Sequence, residues 1–439
     1  MPDRSAFSRR SFVTAAGTTA LTLGMPAIVP ARALGREGKA PASERLTLGF
    51  IGMGKQNGGH LRFFLRKAQT QVLAVCDCDT TRREHARKVV DEHYAQEKTK
   101  GTEPRDCKGY NDFRDLLKRG DIDAVVIATP DHWHAIQIIE ACKAGKDIYC
   151  EKPLTLTIHE AKVVIDAVKK HHRVLQTGSQ QRTEFDGRFR KACEYVRSGR
   201  IGKVQTVHAG VGGPSRPCDL PEETMEPGLD WDLWLGPAPK RPYNSILSPR
   251  GVHDFFPNWR SYIEYSGGGM TDFGAHHFDI AQWGLHRDDS GPVQIIPPDD
   301  SNATHGVRYI YDDGVVLYHG GPSGDTFIGT NGLIYVDRGE LLSVPGSILK
   351  KPLGKNDVHL PTAKNHRDNW LDCVKTRKQP IADVSIGAHS VTVCHLGNLA
   401  YWHHRALHWD PKAWQFVGDP EANTWLDRER RDPWKLPAI

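Results

Sequence analysis

The chain has 439 residues, 38% of them apolar and 25% charged, with a formal net charge of +5. That is too long for one ordinary core and suits two domains of an ordinary soluble composition. No run of Lys and Arg tracks a phosphate backbone, which argues against a nucleic-acid partner, and past the N-terminus no stretch could cross a bilayer.

The N-terminus reads as an address. Ser8-Arg9-Arg10-Ser11-Phe12-Val13 leads an apolar stretch to about Val29, and Ala31-Arg32-Ala33 supplies small residues for cleavage. This pattern predicts a twin-arginine export signal over residues 1–33, a polar linker over 34–44, the twin-arginine translocase as an export partner and a periplasmic location. An uncleaved anchor is the alternative, but Gly17, Gly24 and Pro26 weaken the stretch, so no stable membrane span is expected after processing. The nine cysteines form no C-x-x-C pair and no zinc spacing, so they are expected to be mostly free, buried and inert.

From residue 45 to about 180, strands and helices alternate. Apolar strands are predicted at 46–51, 72–76, 124–128, 147–150 and 174–177, and helices at 59–66, 80–97, 110–119, 134–144 and 158–171. This predicts an α/β unit, a doubly wound parallel sheet covered on both faces. The rhythm then breaks. A helix is predicted at 185–198 and a strand at 204–208; residues 211–268, rich in Pro, Gly and Trp, are too long for a plain connection. Strands at 307–311 and 315–318 flank the turn Asp312-Asp313-Gly314 as a hairpin, another strand lies at 333–336, and helices lie at 366–375 and 385–403. The second unit, 181–410, is therefore α+β with a mostly antiparallel sheet, followed by an extension over 411–439.

The chemistry-bearing residues sit at the ends of these elements. Gly52-x-Gly54-x-x-x-Gly58, with Met53 inside it, joins a strand to a helix, where a bare backbone can approach a pyrophosphate. An ordinary glycine turn is the bland alternative, and the spacing is one residue longer than usual. Asp77 ends the second strand, where a carboxylate takes the ribose hydroxyls of NAD; Arg82 and Arg83 nearby could instead accommodate the 2′-phosphate of NADP. NAD is the expected cofactor. Since the periplasm offers no soluble pool to exchange with, an exported enzyme is expected to retain it and regenerate it within each turnover.

Thr129, Pro130 and His134 follow the central apolar strand, outside whose carboxyl end ligands bind. His134 could be a satisfied histidine at a helix start, but its position at the strand end favours a cofactor contact. Glu151-Lys152-Pro153 ends the next strand; Lys152 could hold a substrate hydroxyl and the cofactor, or simply sit beside its own glutamate. Gly274 separates Asp272 and His276, four apart on a predicted helix, so that Asp272 could orient His276 as a general base; His277 and Asp279 follow. These four groups could alternatively hold a metal or cap a helix, and no metal is assigned. Trp231, Trp234, Trp259 and Arg260 of the 211–268 segment are expected to shape a substrate pocket, or to pack the segment itself.

Gly52-Met53-Gly54, Asp77, Ala128-Thr129-Pro130, Glu151-Lys152-Pro153 and Asp272-x-Gly274-x-His276-x-x-Asp279 in this order resemble the glucose–fructose oxidoreductase, inositol dehydrogenase and rhizopine-catabolism (Gfo/Idh/MocA) family over roughly residues 45–400. The resemblance implies an N-terminal Rossmann domain and a C-terminal open-faced sheet serving as a homo-oligomer interface, in a dimer or tetramer. It also implies Lys152, Asp272 and His276 as the catalytic trio acting on a sugar or polyol. On this reading the cofactor contacts are Gly52, Met53, Gly54, Asp77, Thr129, Pro130, His134, Glu151, Lys152 and Gln181. The substrate contacts are Trp231, Trp259, Arg260, His277 and Asp279. Two other functions fit the same residues. One is a redox-neutral glycoside hydrolase using His253, Asp254 or Tyr262 as an extra acid or base. The other is a non-catalytic sugar- or nucleotide-binding protein.

Overall fold

A computed structural model describes residues 44–96 and 106–439. The export signal and nearly all of the linker expected at 34–44 lie outside the described residues. Among the described residues two sheets form. The first contains β1 (Leu46–Ile51), β2 (Thr70–Cys76), β3 (Lys108–Tyr110), β4 (Ala124–Ile127), β5 (Asp147–Cys150) and β6 (Leu175–Thr177). Their order is β3-β2-β1-β4-β5-β6, and every neighbouring pair is parallel. β4 and β5 are buried at every residue, as strands covered on both faces must be. The order reverses between β1 and β4, so their carboxyl ends open the crevice in which such sheets bind ligands.

Differences from the predicted elements have local causes. The first helix runs Lys55–Leu65 and starts four residues early, because polar Lys55-Gln56-Asn57 and two glycines hide its apolar stripe. The segment from Tyr110 splits into β3 and a short helix, Phe113–Leu117, which the Asp112 side chain caps by accepting from Arg114 N–H.

The second sheet contains β7 (Val204–Gly210), β8 (Gln294–Ile296), β9 (Arg308–Ile310), β10 (Val316–His319), β11 (Gly324–Gly329), β12 (Gly332–Val336), β13 (Leu341–Val344), β14 (Leu407–Asp410) and β15 (Gln415–Phe416). Their order is β13-β12-β11-β7-β10-β9-β8-β14-β15. Only β7–β10 is parallel, and the expected hairpin pairs Val316 with Ile310. β8, β11 and β13–β15 escaped the sequence reading. β11 shows why: glycines at both ends and Asp325 inside it read as a turn, yet Asp325 is fully buried. Helices Arg188–Arg197, Gly274–Gly284 and Val384–His403 bring Phe189, Phe278 and Leu396 into one apolar core with Val207, Leu317 and Phe327 of the sheet.

The two halves are not simply consecutive. Trp370, from the helix His366–Thr376, packs edge-on against Phe64 and Tyr149 of the first sheet's layers. Trp434, near the C-terminus, packs edge-on against Trp133 at 4.8 Å. The 211–268 segment has its own core of Leu229, Trp231, Trp234, Tyr243, Leu247, Trp259 and Tyr265. It is clasped to the first sheet's edge: Thr80 N–H donates to the Gly228 carbonyl (2.9 Å), and Asp230 N–H to the Cys78 carbonyl (2.9 Å). All nine cysteines are free; Cys78 and Cys218 are half-buried and the rest buried. Among the described residues no helix is long and apolar enough to cross a membrane.

Candidate active site

Two adjoining spaces open at the carboxyl ends of β1, β4 and β5, sharing Gln56, Thr129, Phe256, Trp259 and Arg260 as a common wall. The first, of about 870 Å³, is lined by Gly52, Gly54, Asp77, Thr129 and Pro130. Gly52 has φ +79°, and a Cβ there would stand 2.8–2.9 Å from Thr129 and the Ala128 carbonyl. A Cβ on Gly54 would meet nothing within 4 Å, because that glycine faces the open cleft. The helix Lys55–Leu65 starts there with no side-chain cap and no acid in its first turn. Its unsatisfied N–H groups and positive end are therefore left for an anion. The usual third glycine position is Asn57, buried, with Nδ2 donating to the carbonyls of Ile51 (3.1 Å), Gly52 (2.8 Å) and Val126 (3.3 Å). This amide pins strand to helix, so Gly58 need not.

Asp77 accepts from Met53 N–H (2.6 Å) and Asp79 N–H (2.8 Å). Burial raises its pKa, against the opposing pull of Arg82 and of these two N–H groups. Its remaining lone pairs face the cleft, where ribose hydroxyls can donate. Arg82, considered above for a 2′-phosphate, is already engaged by the 211–268 segment. It is buried, donating to the carbonyls of Gly251 (3.1 Å) and Pro249 and to Ser248 Oγ (3.2 Å). Arg83 donates to the Asp77 carbonyl (2.7 Å) and Thr80 Oγ1 (3.1 Å). The groups around this cleft fit a dinucleotide at its pyrophosphate and ribose.

The second space, of about 1020 Å³, gathers Lys152, Asp272 and His276 from β5's end and from the helices Gly269–Asp272 and Gly274–Gly284. Lys152 Nζ donates to Asp272 Oδ1 (2.6 Å) and to the Asp272 carbonyl (2.8 Å). Arg260 Nε lies 3.5 Å from the same oxygen. Burial raises the Asp272 pKa, but Lys152 and Arg260 outweigh it and hold the carboxyl below its ordinary value. The expectation that Asp272 orients His276 is thereby corrected: Asp272 holds Lys152, and the helix is interrupted at Phe273 between the two residues. His276 is buried with Nδ1 unpartnered, and burial, then the positive charges of Lys152 and Arg338, push its pKa well below the ordinary histidine value. It is a neutral imidazole at neutral pH.

Several expected contacts lie elsewhere. His134 lines neither space; its ring sits between the carbonyls of Pro153 (2.8 Å) and Thr129 (3.0 Å), tying two strand-end loops together. Glu151 does face the second space, but its Oε1 accepts from His60 (2.7 Å), Gln56 (2.9 Å) and Gln180 (2.7 Å). Burial raises its pKa, yet His60, Lys152 and Gln56 bring it down to about 2. Gln180 lines the second space, whereas the expected Gln181 is fully buried behind it. Trp231 stacks on Trp234 at 4.6 Å within the 211–268 segment and lines neither space; Trp259 and Arg260 line both.

His277 and Asp279 turn into the core. His277 Nδ1 pairs with Asp325 (2.8 Å), and Asp279 takes both arms of Arg182 (2.8 Å each) and Ser390 Oγ (2.7 Å). The four groups considered as metal ligands thus diverge, and among the described residues no group of three His, Cys, Asp or Glu is placed to hold a metal. Of the three extra acid–base candidates, His253 borders only the first space, Asp254 projects into solvent, and Tyr262 is buried under Arg216. Sequence reasoning missed Asp131, which lines the second space. Burial raises its carboxyl to about 7, with Ser266 Oγ donating to it at 2.6 Å.

Comparison with known proteins agrees with this geometry. The family described as "Oxidoreductase family, NAD-binding Rossmann fold" matches residues 46–179, and "Oxidoreductase family, C-terminal alpha/beta domain" matches 215–436. Glycosyl hydrolase family 109 protein 2 of Shewanella sp. (strain ANA-3) is 34% identical over 180 residues. That likeness covers 38% of this chain and only 38% of the relative. The WlbA dehydrogenase from Bordetella pertussis, solved with NADH and UDP-GlcNAcA, superposes with a TM-score of 0.58 at 18% identity, covering 83% of this chain and 99% of that one. Scyllo-inositol dehydrogenase from Lactobacillus casei, solved with NAD(H) and scyllo-inositol, gives 0.53 at 16%, covering 83% and 99%. At these identities the two structures establish the fold. With both family regions matched in order over an NAD-binding Rossmann sheet and its companion sheet, the chain belongs to the Gfo/Idh/MocA oxidoreductase family.

Proposed function

We propose that the protein moves hydride between a retained NAD and the hydroxyl-bearing carbon of a sugar, polyol or sugar derivative. The observation that carries this reading is the convergence of Lys152 and a neutral, buried His276 on one chamber beside the nucleotide cleft. His276 takes the hydroxyl proton on a ring nitrogen. Lys152, held by Asp272, donates to the same oxygen and stabilises its developing charge. NAD, when bound, supplies the hydride acceptor. Retention is supported by the 211–268 segment, which closes the cleft over Asp77 with Leu247, Ser248, Pro249 and Phe256. An export signal at 1–33, a periplasmic location, and a dimer or tetramer built on the open sheet face complete the proposal, which places the protein in carbohydrate metabolism. Mixing the purified protein with a panel of sugars and following nicotinamide absorbance tests it; no sugar changing the signal would sink it.

A second reading has its own support in Asp131 and in the glycosyl hydrolase name of the curated relative. Oxidation of a ring hydroxyl acidifies the neighbouring C–H. A base removes that proton, the glycosidic oxygen leaves with a proton from an acid, water adds, and the hydride returns to the sugar. Asp131, at about 7, can be present in either protonation state near neutrality. Release of nitrophenol from aryl glycosides with no NAD added would establish it, and an absence of release would leave the simple dehydrogenase.

A further inference from the structure

Arg338 stands apart from the other cations of the second space. Among these, Lys152 is paired with Asp272, Arg260 lies 3.5 Å from Asp272, and Arg367 donates to Glu184 (3.1 Å). Among the described residues no carboxylate pairs with the Arg338 guanidinium. It lies in the turn between β12 and β13, with its carbonyl accepting from Arg188 (3.2 Å) and its own N–H donating to Asp337 (2.7 Å). Its guanidinium carbon is 5.0 Å from the ring centroids of both Phe185 and Phe273. Nε donates to Gln181 Oε1 at 3.2 Å, which fixes the plane of the fork. Among the described residues nothing accepts from the two terminal nitrogens, and the side chain borders the space that holds His276.

A half-buried guanidinium clamped by two rings has lost much of its water. Its terminal donors open onto the space, where an anion with two parallel oxygens matches the fork. The rings and Gln181 restrict its motion, so little rotamer freedom remains to be lost on binding. The carboxylates whose charge reaches Arg338 are already engaged: Asp337 by Ser323 Oγ and the Arg338 backbone N–H, Asp272 by Lys152, Glu184 by Arg367. We infer that the substrate is an anionic sugar, whose carboxylate or phosphate is taken by Arg338 between Phe185 and Phe273 while its reacting hydroxyl lies at His276. The inference rests on the dehydrogenase reading above and gives the substrate its charge class. Gln181 becomes a positioning residue for Arg338.

The test uses the purified holoprotein and matched probes: glucose, glucuronate and glucose 6-phosphate, with the galactose and mannose series alongside. Calorimetry reads binding, and nicotinamide absorbance reads chemistry. At least one anionic sugar should bind roughly ten- to a hundredfold tighter than its neutral parent, as hydrogen bonds to a charged group allow. Whether the uronates or the phosphates lead identifies the anion. Arg338→Ala should erase that preference by weakening the anions far more than their neutral parents, while Arg338→Lys should keep part of it as a point charge. Gln181→Leu should weaken the preference less than Arg338→Ala. Neutral parents binding as tightly as the anions, or Arg338→Ala weakening both alike, would overturn the inference. Arg338-dependent anion binding without any change in nicotinamide absorbance would instead overturn the dehydrogenase reading and leave the charge class standing.

Discussion

The two sides of the cleft are built in different ways. The nucleotide side is a run of short local motifs: Gly52 and Gly54 at one strand end, Asp77 at the next, Thr129 and Pro130 at a third. The glycines act through bare backbone and Asp77 through its carboxylate, and the sheet order sets them side by side. The sugar side is assembled from distant segments: Lys152 from β5, Asp131 after β4, His276 from a helix of the second half, and Arg338 from a turn of the second sheet. Substitutions on the nucleotide side should change which cofactor is held and for how long. Substitutions on the sugar side should change the chemistry, and neighbours in sequence there can differ completely in effect.

His276 and His277 make the sharpest contrast. His276→Ala should slow the chemical step by ~10²–10⁴, the usual cost of losing a general base, with nucleotide content unchanged. His277→Ala should leave the step nearly intact in the folded fraction but destabilise the protein, because Asp325 is left buried without its partner. Rates and denaturant midpoints of the two variants check this. Equal losses of rate would erase the distinction between the chamber-facing and core-facing histidines.

Asp279→Ala is the next largest. It strands the fully buried Arg182, and the loss should be roughly 3–5 kcal/mol of stability, offset in part by Asp288, which holds the other face of the guanidinium at 2.7 Å. Calorimetric unfolding measures it. A stable variant with altered sugar KM would return Asp279 to the substrate contacts.

These residues also show how far the sequence was legible. Asp272, His276, His277 and Asp279 stood out as a dense polar group, but adjacent residues on a helix point about 100° apart, so which of them faced the chamber depended on packing absent from the local pattern. The parallel sheet was legible because β4 and β5 are apolar throughout, while β8 and β13–β15 are only two to four residues long and hid in turn-rich sequence. Arg338, Gln180 and Asp131 carried no signal, since each gains meaning only from partners brought in by the fold. Arg82, five residues beyond Asp77, could be read as a ligand for a 2′-phosphate; the 211–268 segment occupies it instead.

On the nucleotide side, Arg82→Ala removes three hydrogen bonds that fasten this cover. Nucleotide release should quicken by roughly ten- to a hundredfold, as loss of hydrogen bonds from a charged group implies, with the chemical step unchanged. Trapping released nucleotide after dilution reads the rate. An unaltered rate would remove the cover from the account of retention. Asp77→Ser should have a smaller effect, shifting preference toward NADP by relieving like-charge contact with a 2′-phosphate. A wild-type protein that already prefers NADP would contradict the assignment.

The mildest expectation concerns pH. A base whose folded pKa is depressed stays deprotonated through neutrality, so kcat/KM should not show the acidic limb of an ordinary histidine near ~6.5. It should fall only at lower pH, when His276 gains its proton. A limb at the ordinary value that survives in Asp131→Asn would show that His276 is not in the desolvated setting described.

The central claim is that one side of the cleft keeps NAD and the other uses it. The direct measurement is the nucleotide released by denaturing protein purified with none added, its amount and redox state read by mass spectrometry before and after exposure to the sugar panel. The account predicts about one NAD per chain, converted by at least one sugar to NADH in the wild type and still mostly oxidised in His276→Ala after the same exposure. A protein free of nucleotide, or conversion that proceeds equally without His276, would contradict it.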